Sequence, residues 1–101
     1  MKSSAPEEIN DPLKDINVDD EYSYVFVEYD HSEVSFNSII ETIHLIGAHI
    51  LDSIILREEP RGTKSILFKL DVQDVREVIL NLSKHKLLTI KGYNSKTEKI
   101  G

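Results

Sequence analysis

YSYVFVEYDHSEVSFNSIIETIHLIGAHI, residues 22–50, changes its hydrophobic period once, and that change decides the fold. Over residues 22–29 β-branched and aromatic side chains run together, as they do in a strand. Strand side chains alternate between faces, so Tyr22, Tyr24 and Phe26 share one face and Val25 and Val27 the other. Residues 30–35 are polar and form a loop. Ser32 or Ser35 can accept a hydrogen bond from an exposed backbone N–H and so cap a helix. From Phe36 onward the apolar residues Phe36, Ile39, Ile40, Ile43 and Ile46 fall on one helical stripe. Gly47 ends the helix, because glycine accepts the left-handed conformation found past a helix C-terminus. The stretch therefore reads strand, helix, and the start of a second strand at Ile50.

The rest of the chain repeats the pattern with different residues. Residues 50–57 form a β-type run centred on Ile54, Ile55 and Leu56. Residues 58–62 (EEPRG) combine Pro60 and Gly62 and mark a turn. Residues 63–70 alternate, with Ile66, Phe68 and Leu70 on one face and Ser65 and Lys69 on the other, so this strand pairs with its predecessor as a hairpin. Asp71 is expected to cap a second helix carrying Val72, Val75, Val78, Ile79 and Leu82 and ending near residues 84–86. Residues 87–90 read as a fourth strand, and the chain from Gly92 as a polar tail. The order is β–α–β–β–α–β. Two βαβ halves with right-handed crossovers give an α+β, ferredoxin-like domain: a four-stranded antiparallel sheet with both helices on one face. The other sheet face has no cover in this scheme. Leaving it bare exposes a sizeable apolar patch, which argues for a dimer or for packing on a neighbouring domain.

The 101 residues suffice for one domain, and the absence of cysteine removes disulfides and thiolate metal sites. The formal net charge of -6 opposes binding to nucleic-acid phosphates and to anionic membranes. No apolar stretch approaches the ~20 residues of a membrane span, and the N-terminus has no hydrophobic signal core. The expected location is cytoplasmic. Residues 1–20 are polar and acidic, with Pro6 and Pro12, and read as a flexible lead or a linker from a preceding domain. Leu13, Ile16 and Val18 give that lead a few apolar residues able to dock on a neighbour.

The apolar strand before Asp30, the turn it opens, the helix from Phe36 and the ending Gly47-Ala48-His49-Ile50 together resemble the ACT domain, a family of small regulatory modules. The resemblance is carried by residues 24–54 and extends more weakly to Tyr93. It implies an ACT-like domain over residues 21–94, followed by a polar tail over 95–101. It also implies a regulatory homodimer, joined through the sheet face or an edge. A small-molecule effector would bind at the loop before the first helix and at the second strand, that is at Asp30, His31, Ser32, Glu33, Val34, Ala48, His49 and Ile50. ACT-like modules also follow paired CBS domains in some proteins, and the lead suits a preceding CBS or catalytic domain. The turn departs from the family: Asp30-His31-Ser32-Glu33-Val34 lacks the Pro-Gly that lets the loop backbone approach an amino acid. Glu33 adds bulk and negative charge there, against a ligand carboxylate. The alternative is a ligand-free interaction module that packs on a partner domain.

The same element order occurs in the C-terminal domain of nickel-responsive repressors. That family's His-x-His and nearby cysteine are missing here, so no nickel site of that type is expected. Of the four histidines, no pair has i, i+4 spacing on one helix. His31 and His49 are expected to approach each other, since the first loop and the start of the second strand are read as neighbours. No metal and no cofactor are expected. The polar turn from Asp30 to Ser35 is read first as simple helix capping and only second as part of a ligand pocket. Arg57, Glu58, Glu59 and Arg61 form a solvated charge cluster at the hairpin. Lys84, His85, Lys86 and Lys91 form a small basic end that suits a helix C-terminus. No nucleophile elbow, P-loop or dinucleotide glycine fingerprint occurs, so the chain is not expected to be an enzyme.

Overall fold

The computed structural model describes residues 22–94 and 98–100. Its elements are β1 (Ser23–Asp30), α1 (Phe36–Leu45), β2 (Ile50–Glu58), β3 (Thr63–Leu70), α2 (Arg76–Leu82), β4 (Leu87–Asn94) and β5 (Glu98–Ile100). The sheet runs β2-β3-β1-β4-β5 with every neighbouring pair antiparallel. The four-stranded antiparallel sheet with two helices in the order βαββαβ is therefore present. One short strand, β5, extends it beside β4, within the stretch read above as a tail. The lead, residues 1–20, lies outside the described residues.

Alternation sorts the sheet residues as the sequence suggests. Val25, Val27 and Tyr29 of β1 and Ile66, Phe68 and Leu70 of β3 are all fully buried, in one cluster with Ile39 and Ile43 of α1 and Val75, Val78 and Leu82 of α2. Phe36 stacks on Phe68 with ring centroids 6.2 Å apart. At about 25 cal/mol per Å2 of apolar surface, each such side chain contributes roughly 1.5–3 kcal/mol of burial energy. This core carries a chain that has no disulfide.

Helix α1 begins and ends where its residues dictate. Ser35 is its N-cap, with Oγ accepting from the Ser38 N–H at 3.1 Å. Gly47 follows with φ +87°, a left-handed conformation that a β-carbon would strain.

Helix α2 departs from expectation. It starts at Arg76, five residues after Asp71; its N-cap Val75 offers no side-chain acceptor, and Asp74 Oδ1 accepts from the Arg76 N–H at 3.0 Å instead. The Asp71 carboxylate is committed elsewhere, as the next subsection describes. Strand β4 also outruns its expected end at Ile90 and passes through Gly92 to Asn94. Gly92 is not the start of a tail. A β-carbon there would stand 2.4 Å from Ile79 Cδ1 and 2.6 Å from Val75 Cγ2, so its absence lets α2 lie directly on β4. The Asn94 side-chain carbonyl then accepts from the Val75 N–H at 2.7 Å, fixing the entry of α2 from the strand below.

Among the described residues no helix is long and apolar enough to cross a membrane.

Candidate functional site

Asp30 closes β1, and its carboxylate turns back on the chain. Oδ1 accepts from the Ser32 N–H at 2.9 Å and from the Ser32 hydroxyl at 2.7 Å. These two bonds hold the Asp30 pKa below its ordinary value, the hydroxyl contributing most. The Asp30 carbonyl also accepts from the Glu33 and Val34 N–H groups, so the loop is a compact turn. Val34 is buried in the core, whereas Ser32 and Glu33 are exposed. The Glu33 carboxylate lies 3.9 Å from the Lys86 ammonium.

His31 ties this turn to the β2–β3 hairpin. Its backbone N–H donates to the Gly62 carbonyl at 2.9 Å, and Nε2 lies 2.9 Å from the Glu59 carbonyl. A carbonyl only accepts, so Nε2 carries the proton in this contact. The loop before α1 and the EEPRG turn are therefore joined at one end of the sheet. Arg57 pairs with Glu59 at 2.6 Å at this same end, and Lys64 lies 3.6 Å from Glu58.

Ala48, His49 and Ile50 are at the opposite end. The register sets this: Asp30 is level with Thr63 on β3, whereas Ile50 is level with Leu70, seven residues along the same strand. His31 and His49 thus do not approach each other within one chain, contrary to the expectation from sequence. The physical reason is the crossover: α1 returns the chain to the start of the sheet, so β1 and β2 run in the same direction. Ala48 is buried, and Ile50 packs against the main core.

His49 has a partner that the sequence reading missed. Its Nδ1 lies 2.9 Å from Asp71 Oδ2, and its backbone N–H donates to Asp71 Oδ1 at 2.9 Å. The Asp71 N–H returns a bond to the His49 carbonyl at 3.2 Å. The backbone bond from His49, then its ring, lower the Asp71 pKa. This reciprocal clamp joins the start of β2 to the end of β3 and explains why Asp71 does not cap α2. His85, beside Lys84 and Lys86 in the turn after α2, is likewise engaged, with Nε2 2.8 Å from Thr42 Oγ1 of α1. The remaining histidine, His44, is on the outer surface of α1 beside Glu41 and Leu45, in a shallow hollow. Among the described residues no three His, Asp or Glu side chains converge to hold a metal ion.

The eight candidate residues thus form two groups, one at each end of the sheet. Within one chain each group's polar atoms are largely occupied by its own neighbours.

One feature was legible only in outline. Strand β2 is an edge of the sheet, and Leu51, Ile55 and Leu56 on it are exposed by 48%, 52% and 37%. The sequence marks Ile55 and Leu56 as part of a strand centre; nothing in it says which strand ends the sheet.

Comparison with family models and with curated proteins finds no match for this chain.

Proposed function

We propose that the domain is a regulatory pairing module of the ACT-like type, in which two copies join along β2. The observation that carries the reading is the exposed β2 edge. A nine-residue edge strand with three exposed aliphatic side chains is a template for another strand. Folded proteins blunt such edges with charge or cover them. Here Asp52 and Arg57 are near opposite ends of the strand, so an antiparallel second copy brings opposite charges together. The resemblance to ACT domains supports the same role.

Pairing also gives the divided site a meaning. In an antiparallel arrangement, the Ala48-His49-Ile50 end of one β2 meets the Glu58 end of the other. That second end is tied through His31 to the turn from Asp30 to Val34. A small metabolite held by both groups would bridge two copies and favour the paired state. The second reading, a ligand-free interaction module, is favoured by the internal hydrogen bonds of the turn, which leave Asp30 and His31 already satisfied. In that reading β2 packs on a preceding CBS or catalytic domain.

Sedimentation of the full chain tests the pairing: the expected result is a dimer that Ile55→Lys converts to monomer without loss of helix signal. A strictly monomeric chain removes the pairing reading. Calorimetric titration of the dimer with amino acids and nucleotides separates the two versions, and silence across both panels leaves the ligand-free one.

A further inference from the structure

The backbone of β2 fixes how a second copy can lie beside it. The pairing of β2 with β3 shifts between Ile50 and Asp52 and again between Ile55 and Arg57, so Leu51 and Leu56 are inserted residues, each a bulge. Backbone groups of an antiparallel strand point alternately to one neighbour and to the other. The Glu59 N–H donates to the Thr63 carbonyl and the Asp71 N–H to the His49 carbonyl, so odd-numbered residues of β3 point to β2. Ser65, Leu67 and Lys69 are level with Arg57, Ile54 and Asp52, which therefore point inward. Ile50, Ser53, Ile55 and Glu58 are left pointing out. The Ser53 N–H agrees: it is taken by its neighbour's carboxylate, Asp52 Oδ1, at 2.8 Å. The four outward residues also share one sheet face, level with Leu70, Phe68, Ile66 and Lys64. Their separations, 50 to 53, 53 to 55 and 55 to 58, are three, two and three residues and read the same in both directions.

We propose that two copies pair antiparallel about a two-fold axis at Ile54, with Ile50 and Ser53 of one opposite Glu58 and Ile55 of the other. The register rests on the β2 pairing proposed above. It is the register in which every outward residue of one copy meets an outward residue of the other, on the same face. Each bulge then lies opposite the second copy's other bulge, so neither interrupts the ladder. A shifted antiparallel register leaves at least half of the four facing an inward or bulged residue. Two further features fit. The Ser53 N–H passes from Asp52 to the Ile55 carbonyl of the second copy, so no donor is left unmet. Asp52 is then free on the face that carries the second copy's Arg57, and opposite charges meet on both sides of the axis. At the axis Ile54 meets its own copy, apolar against apolar.

The chain has no cysteine, so a single substitution in the full chain places one thiol per copy. Directly opposite residues of a non-hydrogen-bonded antiparallel pair have Cα atoms about 4.5 Å apart, within the ~4.4–6.8 Å that a disulfide spans. Ile54→Cys is therefore expected to cross-link to itself under mild oxidation severalfold faster than Leu51→Cys or Leu56→Cys, whose copies stand off the axis. Ile54 also packs on Tyr24, Leu67 and Tyr93, so a second pair of variants spares that cluster. Ser53→Cys mixed with Ile55→Cys, both at exposed positions, is expected to form the mixed disulfide severalfold over either variant linked to itself. The register is overturned if Ile54→Cys links no faster than Leu51→Cys or Leu56→Cys. A mixture with no preference for the mixed product overturns it too. If the unaltered chain then sediments as a dimer, the β2 pairing stands and only its register is lost; a monomer removes both.

Discussion

Tyr29 shows how a single residue can be well placed for packing and poorly placed for its own chemistry. Its ring is fully buried beneath the helices, and its hydroxyl has no hydrogen-bond partner among the described residues. Burial raises the phenol pKa, and the charge on Glu58 adds to the rise. A group whose folded pKa is raised keeps its full contribution below its unfolded pKa, about 10 for tyrosine. That contribution is lost as pH climbs above this point, because only the unfolded chain gives up the proton. Tyr29→Phe removes the unpaired hydroxyl while keeping the ring. The expected change in denaturant unfolding at neutral pH is neutral to stabilising by about 1 kcal/mol. The variant should also lose part of the decline in stability above about pH 10. A loss of more than about 1 kcal/mol at neutral pH would show that the hydroxyl has a partner after all.

Gly92 makes the corresponding case for an element. Helix α2 has only seven residues, too few to be stable alone, so little of its stability is local. It is held by Val75, Val78 and Leu82 in the core and by the close approach of Ile79 and Val75 over Gly92. Gly92→Ala is expected to lift α2 from β4 at a cost of about 1–3 kcal/mol, the usual range for an overpacked site. Thermal unfolding measures the loss, and hydrogen exchange should show it first in the α2 amides. Equal destabilisation across the sheet would instead point to a strain in β4. This element also marks where sequence reasoning ended. The stripe of α1, its Ser35 cap and Gly47 were legible because each signal is local and adjacent in the chain. The start of α2 was not, because Asp71 looks like a cap and is taken by His49, 22 residues earlier. The passage of β4 through Gly92 was illegible for a like reason: the glycine answers to a helix packed on it, not to its neighbours in sequence.

At the scale of the molecule, the two ends of the sheet divide the candidate site, and the β2 edge offers a way to reunite it. Sequence supplied both groups of residues; only the strand register shows that Asp30 and Ile50 belong to opposite ends. If two copies form one folding unit, stability must depend on concentration. Unfolding then separates two chains, and each tenfold rise in protein concentration adds about 1.4 kcal/mol per dimer. For a unit of roughly 200 residues this moves the thermal midpoint by about 3–6 °C. Scans of the full chain over a hundredfold concentration range should therefore rise steadily. Ile55→Lys should flatten the dependence while leaving the low-concentration midpoint nearly unchanged, because Ile55 is half-exposed in the single chain. A midpoint that stays fixed for the unaltered chain excludes coupled pairing and folding. A fall at every concentration for the variant would mean that Ile55 supports the single domain's own packing and not its edge.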